Sequence, residues 1–228
     1  MLSLCAGLVR TIPRLMFRHV PNAITAGRLV LAAVFFVLLA YYQHEGRGDP
    51  YYLNIAFIIY AIALFTDFLD GYLARKWKVE GAFGRVVDPF VDKVLVLGTF
   101  IFFAGKNFVI QQQGAEVLMT ITGVAPWMVV LILARELLVT SLRGISESGG
   151  ANFAAAFSGK LKMVFQSVTI LVILLYVNYF QQRGGDLEFY ARWFRDICIW
   201  LTIGITLLSG VSYIRRGITL YQKTESSS

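Results

Sequence analysis

Four aspartates lie at the ends of two neighbouring apolar segments: Asp67, Asp70, Asp88 and Asp92. The first pair is spaced i, i+3 and the second i, i+4, so on helices each pair lies on one face. An aspartate in the middle of a membrane helix costs about 3 kcal/mol, and acidic residues in apolar segments therefore indicate a functional site.

Carboxylates that converge repel one another unless a cation lies between them. No His or Cys lies near these aspartates, and oxygen ligands favour hard ions such as Mg²⁺ or Mn²⁺. Four carboxylates suffice for two ions about 3.5–4 Å apart, an arrangement used in phosphoryl transfer. The alternative is a set of structural ion pairs with Arg75, Arg85 or Lys93.

Small residues follow the first pair of aspartates. Gly71, Ala74 and Gly84 would allow a bulky ligand to approach the backbone beside the metals, and Arg75 would hold a phosphate. Taken singly, such residues also occur where membrane helices pack together.

The composition is that of a membrane protein with several spans. Of the 228 residues, 57% are hydrophobic and 15% are charged, and the mean hydropathy is +0.64; a soluble domain has about 25% charged residues. The net charge of +7 comes from basic residues in short loops, which favours anionic lipids and phosphorylated substrates over nucleic acid. Cys5 and Cys198 have no metal-ligand spacing.

The predicted fold is all-α, with six transmembrane helices. A span needs about 20 apolar residues, and six segments qualify: 22–43, 51–75, 87–105, 117–142, 160–180 and 194–214. Apolar residues at helical spacing, with arginines on another face, predict an amphipathic helix on the membrane surface over residues 1–20. The predicted domains are this segment, a transmembrane domain over 21–217 and a cytoplasmic tail over 218–228.

The charge distribution predicts the orientation. With a cytoplasmic N-terminus, 16 of the 21 Lys and Arg residues lie on the inner side of the membrane, as the positive-inside rule requires. Both termini and the aspartates are then cytoplasmic.

The complete pattern is Asp67-x2-Asp70-Gly71-x2-Ala74-Arg75-x8-Gly84-x3-Asp88-x3-Asp92. It resembles the signature of the CDP-alcohol phosphotransferase family, with all eight positions filled. The resemblance implies a transferase in which an acceptor hydroxyl attacks phosphorus and displaces CMP. It also implies Asp67, Asp70 and Asp88 as the main metal ligands, with Asp92 as the general base that also contacts a metal.

Further segments resemble the phosphatidylglycerophosphate synthase branch of this family. One is Pro21-Asn22-Ala23-Ile24-Thr25-x2-Arg28, and the others contain Asp88-Pro89-x2-Asp92-Lys93, Arg135-Glu136-x6-Arg143 and Gly159-Lys160-x-Lys162-x3-Gln166. The resemblance implies CDP-diacylglycerol as donor, glycerol 3-phosphate as acceptor and phosphatidylglycerol phosphate as product. It places the CDP group among the following residues: Asp67, Asp70, Gly71, Ala74, Arg75, Gly84, Asn22 and Thr25.

Four cations are candidates for binding the acceptor phosphate: Arg135, Arg143, Lys160 and Lys162. Arginine suits bidentate phosphate binding and lysine supplies a point charge. The alternative is ordinary basic flanking of membrane spans, and Glu136 is either part of the site or a local partner of Arg135. Asn22 and Thr25 also suit helix capping.

Several alternatives stay open. Gly144 and Met163 depart from the branch pattern, so serine, inositol phosphate or phosphatidylglycerol is an alternative acceptor. A remote alternative function is that of a cation transporter. The family resemblance further implies a homodimer, and we expect the bacterial inner membrane as its location.

Overall fold

A computed structural model of the protein describes residues 20–44, 49–77, 82–110, 119–148, 157–181 and 183–225. Six long helices make up most of this part of the chain, which confirms the prediction of a helical protein. They are α1 (Val20–Tyr41), α2 (Pro50–Trp77), α3 (Ala82–Phe103), α4 (Pro126–Ser148), α5 (Phe157–Leu175) and α6 (Gly185–Glu225). The predicted amphipathic helix lies outside the described residues, apart from Val20.

Three helical stretches among the described residues are long and apolar enough to cross a membrane. They are Pro50–Leu69 on α2, Leu161–Phe180 on α5 and its continuation, and Gly185–Arg215 on α6; Thr25–Tyr41 on α1 is a shorter apolar helix. Many large side chains on the outer faces of these helices are apolar, including Val37, Ile58 and Leu208. A wide apolar surface of this kind is typical of contact with lipid.

The described chain divides into two compact units, one formed by residues 20–42 and 49–98 and the other by residues 43–44 and 99–225. In the first unit α1 packs against α2. Phe35 and Tyr60 are buried, with ring centroids 5.4 Å apart, and Tyr41 stacks near Tyr52 at 4.9 Å. Since the residue number rises on one helix as it falls on the other, the two helices are antiparallel.

In the second unit α6 packs against both α4 and α5. The buried residues Val139 and Tyr213 form one apolar contact between α4 and α6, and Leu142 lies against Gly217 one turn further on. Residue numbers rise together along these contacts, so α4 and α6 run parallel. Helix α5 continues as a π-helical turn, Tyr176–Phe180, and Gly184 and Gly185, at φ +63° and +74°, make the predicted turn into α6.

The starts of two helices differ from the predicted spans by nine residues each. The fourth helix begins at Pro126 instead of residue 117, because β2 (Met119–Thr120) pairs with β1 (Val109–Ile110) as an antiparallel ladder. Gly123 then adopts φ +73°, and proline at the first helical position suits the start of α4. Helix α6 begins at Gly185, well before the predicted residue 194, with Asp186 in its first turn, where a negative charge is favourable.

Candidate active site

The aspartates of the predicted site lie on two continuous helices. Asp67 and Asp70 are on α2, whereas Asp88 and Asp92 are on α3. The spacing within each pair therefore places both members on the same helical face, as the sequence predicted.

Arg28 of α1 joins two of these aspartates. Its Nη2 donates to Oδ1 of Asp92 at 3.1 Å, and its Nη1 donates to Oδ1 of Asp67. The arginine side chain is only 3% exposed, whereas those of Asp67 and Asp92 are 47% and 23% exposed. Two carboxylates from different helices thus converge on one positive charge while part of each carboxylate surface stays accessible.

The convergence on Arg28 bears on the prediction of a metal site. Asp67 and Asp92 each direct one carboxylate oxygen towards the same point, and carboxylate oxygen is the ligand type that Mg²⁺ and Mn²⁺ prefer. No cluster of three acidic, His or Cys side chains occurs among the described residues, and the side chains of Asp70 and Asp88 lie outside them. The residues present fit the ions, and the metal ligands stay a prediction.

Most of the predicted CDP pocket lies on these same helices. Thr25 is on α1 with a fully buried side chain. The other predicted positions have a helical backbone, but their side chains fall outside the described part: Asn22 on α1, Gly71, Ala74 and Arg75 on α2, and Gly84 on α3.

A second charged cluster lies in the second unit, where Glu136 joins two of the predicted acceptor-binding cations. Arg135 Nη1 donates to Glu136 Oε1 at 2.7 Å, and Lys162 Nζ donates to the same oxygen. All three side chains are buried. A buried carboxylate between two cations is stabilised by both of them, so Glu136 is the charge partner of Lys162 as well as of Arg135.

Helix α6 holds the arginine of this cluster from the other side. Ser209 accepts a hydrogen bond from Arg135 Nη2, and the guanidinium carbon lies 5.5 Å from the centroid of the Tyr213 ring. Gly210 lies beside the aliphatic part of Arg135, where an added methyl group would be 3.2 Å from Cγ. The arginine is thus fixed by charge, by a hydroxyl and by a cation–π contact.

The other two predicted cations are less closely defined. Arg143 lies on α4, two turns beyond Arg135, and its buried Nε has no hydrogen-bond partner among the described residues. Lys160 lies on the first turns of α5, with its side chain outside the described part. The structure therefore brings Arg135 and Lys162 together and leaves the other two as predictions.

Arg28, Ser209 and Tyr213 had not been predicted as site residues. A basic residue inside an apolar span is costly unless it is paired, and this was the available signal for Arg28. On α6, Ser209 and Tyr213 belong to a series of polar residues at helical spacing that also includes Thr202 and Thr206. That periodicity indicates a buried polar stripe, although it does not identify the partner helix.

These features define a helical membrane protein with aspartates on two adjacent helices and a separate cluster of buried cations. The sequence matches the CDP-alcohol phosphatidyltransferase family over residues 18–208. The chain therefore belongs to this family.

Individual relatives share most of their length with this chain. It is 30% identical to the CDP-diacylglycerol–glycerol-3-phosphate 3-phosphatidyltransferase of Bacillus subtilis over 205 residues, which cover 87% of this chain and 94% of that protein. The enzyme of the same name from Cereibacter sphaeroides is 28% identical, with coverages of 90% and 98%. A probable phosphatidylglycerophosphate synthase from Mycobacterium tuberculosis is 32% identical, with coverages of 90% and 84%.

Proposed function

We propose that this protein transfers the phosphatidyl group of CDP-diacylglycerol to sn-glycerol 3-phosphate, with phosphatidylglycerol phosphate and CMP as products. The relatives named for this reaction cover nearly the whole chain. The structural observation that carries the proposal is the convergence of Asp67 and Asp92, two positions of the family pattern, on Arg28.

In the proposed reaction, Asp92 accepts the proton of the acceptor hydroxyl. The hydroxyl oxygen forms a bond to the phosphorus that bears the diacylglycerol, and the bond between this phosphorus and the bridging oxygen of CMP breaks. CMP leaves with that electron pair. Asp92 is suited to this role because its side chain is partly accessible, and a positioned base typically contributes about 10²–10⁴-fold in rate.

The acidic residues Asp67, Asp70, Asp88 and Asp92 would hold Mg²⁺ or Mn²⁺, and we propose two ions. When bound, such ions neutralise charge on the diphosphate and on the departing CMP. Asp67 then serves both the metal and the CDP group. The remaining CDP-binding residues in this proposal are Asp70, Gly71, Ala74, Arg75, Gly84, Asn22 and Thr25.

The acceptor phosphate is assigned to the cluster around Glu136. Arg135 and Lys162 are held in place by this carboxylate before the substrate arrives, so little side-chain ordering remains to be done on binding. Arg143 and Lys160 complete the proposed set of phosphate-binding cations. An acceptor such as serine has no phosphate for these cations to bind.

For the whole protein we propose six transmembrane helices, with both termini and the active site on the cytoplasmic side of the bacterial inner membrane. The basic residues concentrated on that side support the orientation. We further propose a homodimer, a transmembrane domain over residues 21–217, an amphipathic segment over 1–20 and a tail over 218–228.

The proposed function is tested by measuring CMP release from CDP-diacylglycerol by the purified protein in Mg²⁺. The acceptor panel consists of glycerol 3-phosphate, serine, inositol phosphate and phosphatidylglycerol. Release with glycerol 3-phosphate alone is expected. Release with another acceptor instead would overturn the choice of acceptor, and no release with any acceptor would overturn the phosphatidyl transfer itself.

A further inference from the structure

A buried polar seam lies between α5 and α6. We define this seam as Lys162, Gln166 and Thr169 on α5 together with Thr202, Thr206 and Ser209 on α6. On each helix the three residues are spaced i, i+4, i+7, so each set lies along one face, and all six side chains are buried. Polar groups this far from water require partners.

The contacts along the seam determine its register. The hydroxyls of Thr169 and Thr202 lie 2.8 Å apart. Seven residues away on each helix, Lys162 and Ser209 are linked through Glu136 and Arg135. Since the helices are antiparallel at these two levels, Gln166 and Thr206 lie at the same level between them.

The register continues beyond the charged cluster. A methyl group added to Gly159 would lie 3.0 Å from the hydroxyl oxygen of Tyr213. Gly159 lies three positions before Lys162 on α5, and Tyr213 lies four positions after Ser209 on α6. A contact between them is the next one expected for antiparallel helices. Observed contacts on both sides therefore fix the shared level of Gln166 and Thr206.

This middle level of the seam has unfilled hydrogen-bonding capacity. The side-chain nitrogen of Gln166 and the hydroxyl of Thr206 are buried and have no hydrogen-bond partner among the described residues. Gln166 is 2% exposed and Thr206 1% exposed. At the neighbouring level, by contrast, Thr169 and Thr202 satisfy each other and also reach backbone carbonyls of Cys198 and Phe165.

Gln166 and Thr206, which have no partner in the described part of the chain, lie next to the cations proposed to bind phosphate and could bind a neutral polar group. Gln166 Nε2 is a donor, and the Thr206 hydroxyl both donates and accepts. Together they match an alcohol. Lys162 and Gln166 are four residues apart, or about 6 Å along the helix axis, a separation that a three-carbon phosphate can span.

We infer that Gln166 and Thr206 bind the secondary hydroxyl of the acceptor, while its phosphate contacts Arg135 and Lys162. This inference rests on the proposed function and adds the residues that select a hydroxylated acceptor. The primary hydroxyl of glycerol 3-phosphate is left for the reaction. The protein should discriminate against an acceptor that lacks the secondary hydroxyl, because such an acceptor leaves both buried groups unpaired.

The experiment compares kcat/KM for glycerol 3-phosphate with that for 3-hydroxypropyl phosphate, which lacks only the secondary hydroxyl. The wild-type protein is expected to prefer glycerol 3-phosphate by about 10- to 100-fold, because a buried group left unpaired costs about 1–3 kcal/mol. Thr206→Val and Gln166→Leu are expected to lower this preference to about threefold or less, mainly by loss of activity towards glycerol 3-phosphate. Thr206→Ser, which retains the hydroxyl, should preserve the preference.

Thr202→Val is the matched control, because it makes the same change one turn away on α6, at a hydroxyl that is already paired with Thr169. It should keep the wild-type preference even where it lowers stability. The inference is overturned if Thr206→Val reduces kcat/KM equally for both acceptors. That result is expected if Gln166 and Thr206 bind an internal water or only stabilise the packing of the two helices.

The wild-type ratio tests the inference even if Thr206→Val does not fold. Equal use of the two acceptors by the wild-type protein would overturn the hydroxyl site and leave the proposed reaction intact. Failure of the proposed function has a different signature, since the wild-type protein would then release no CMP with glycerol 3-phosphate.

Discussion

Arg28 on α1 donates a hydrogen bond to Asp92 on α3, with 3.1 Å between Nη2 and Oδ1, although the two residues are 64 positions apart in the chain. The same guanidinium also contacts Asp67, so α1 contributes a positive charge to the acidic face formed by α2 and α3. The arginine therefore balances carboxylates that would otherwise repel one another.

Asp92→Asn should remove most turnover while leaving the affinity for CDP-diacylglycerol largely unchanged. The amide keeps the shape of the side chain but does not accept the proton, and we expect kcat to fall about 10²–10⁴-fold. The measurement is CMP release at saturating substrates, together with binding of the CDP-lipid. Asp186→Asn, an exposed aspartate in the first turn of α6, is the control. Full activity of the Asp92 variant would contradict its role as base.

Arg28→Gln should lower the free energy of unfolding by about 1–3 kcal/mol, because two carboxylates lose a charged hydrogen-bond donor. Millimolar Mg²⁺ should then raise the Tm of the variant more than that of the wild-type protein, since the ion replaces the lost positive charge. Thermal unfolding in detergent with and without Mg²⁺ measures both effects.

The control for Arg28→Gln is Arg192→Gln, which removes an exposed arginine that pairs with Glu188 on the same helix. We expect a change of no more than about 0.5 kcal/mol for that variant, with an ordinary response to Mg²⁺. An equal Mg²⁺ response in all three proteins would mean that Arg28 does not substitute for a metal charge.

Glu136→Gln should destabilise the protein by about 3–5 kcal/mol, because Arg135 and Lys162 lose the anion between them. Glycerol 3-phosphate should raise the Tm of this variant more than that of the wild-type protein, since its phosphate supplies a negative charge to the same cations. Glu188→Gln is the control, with a smaller destabilisation and no additional stabilisation by glycerol 3-phosphate. If glycerol 3-phosphate stabilises neither protein, the cluster is not the acceptor-phosphate site.

Three Gly→Ala substitutions should separate backbone strain from steric contact. Gly123→Ala combines φ +73° with a methyl group 3.0 Å from Asp196 Oδ1, whereas Gly184→Ala has φ +63° and a methyl group with no described residue within 4 Å. We expect each to lose about 1–2 kcal/mol from the left-handed conformation, with a further loss at Gly123. At Gly204 in α6 no described residue lies within 4 Å of an added methyl group, so substitution by alanine should raise the free energy of unfolding by about 0.5–1 kcal/mol.

The measurement for the glycine series is the Tm of the four proteins in one detergent. The expected order, from highest to lowest, is Gly204→Ala, wild type, Gly184→Ala and Gly123→Ala. A Gly123→Ala variant as stable as Gly184→Ala would show that Asp196 and its neighbours move aside without cost.

The positions of the helices followed from the sequence because long apolar runs and their turn residues are local features. Gly184 and Gly185 show this well, since both adopt the positive φ that glycine permits. The region after residue 117 was assigned wrongly to a helix because its apolar residues suit a strand as well. The hydrogen bond from Thr122 Oγ1 to the carbonyl of Phe103 at 2.7 Å, which stabilises that connection, joins distant residues.

The same distinction between local and distant contacts applies to how much of the site could be predicted from the sequence. The spacing of Asp67, Asp70, Asp88 and Asp92 was readable because it is set by helical geometry. The partner of Glu136 at position 135 was also local, but Lys162 comes from another helix. Such contacts depend on how helices pack, and a single sequence does not contain that register.

The most direct test of the proposed reaction follows radiolabelled sn-glycerol 3-phosphate into lipid while CMP is quantified in the same sample. The purified protein, CDP-diacylglycerol and Mg²⁺ are the other components, and Asp92→Asn serves as the blank. We predict one labelled phosphatidylglycerol phosphate for each CMP released, with little of either in the blank. CMP release without label in the lipid would contradict the account, because the phosphatidyl group would then be going to another acceptor.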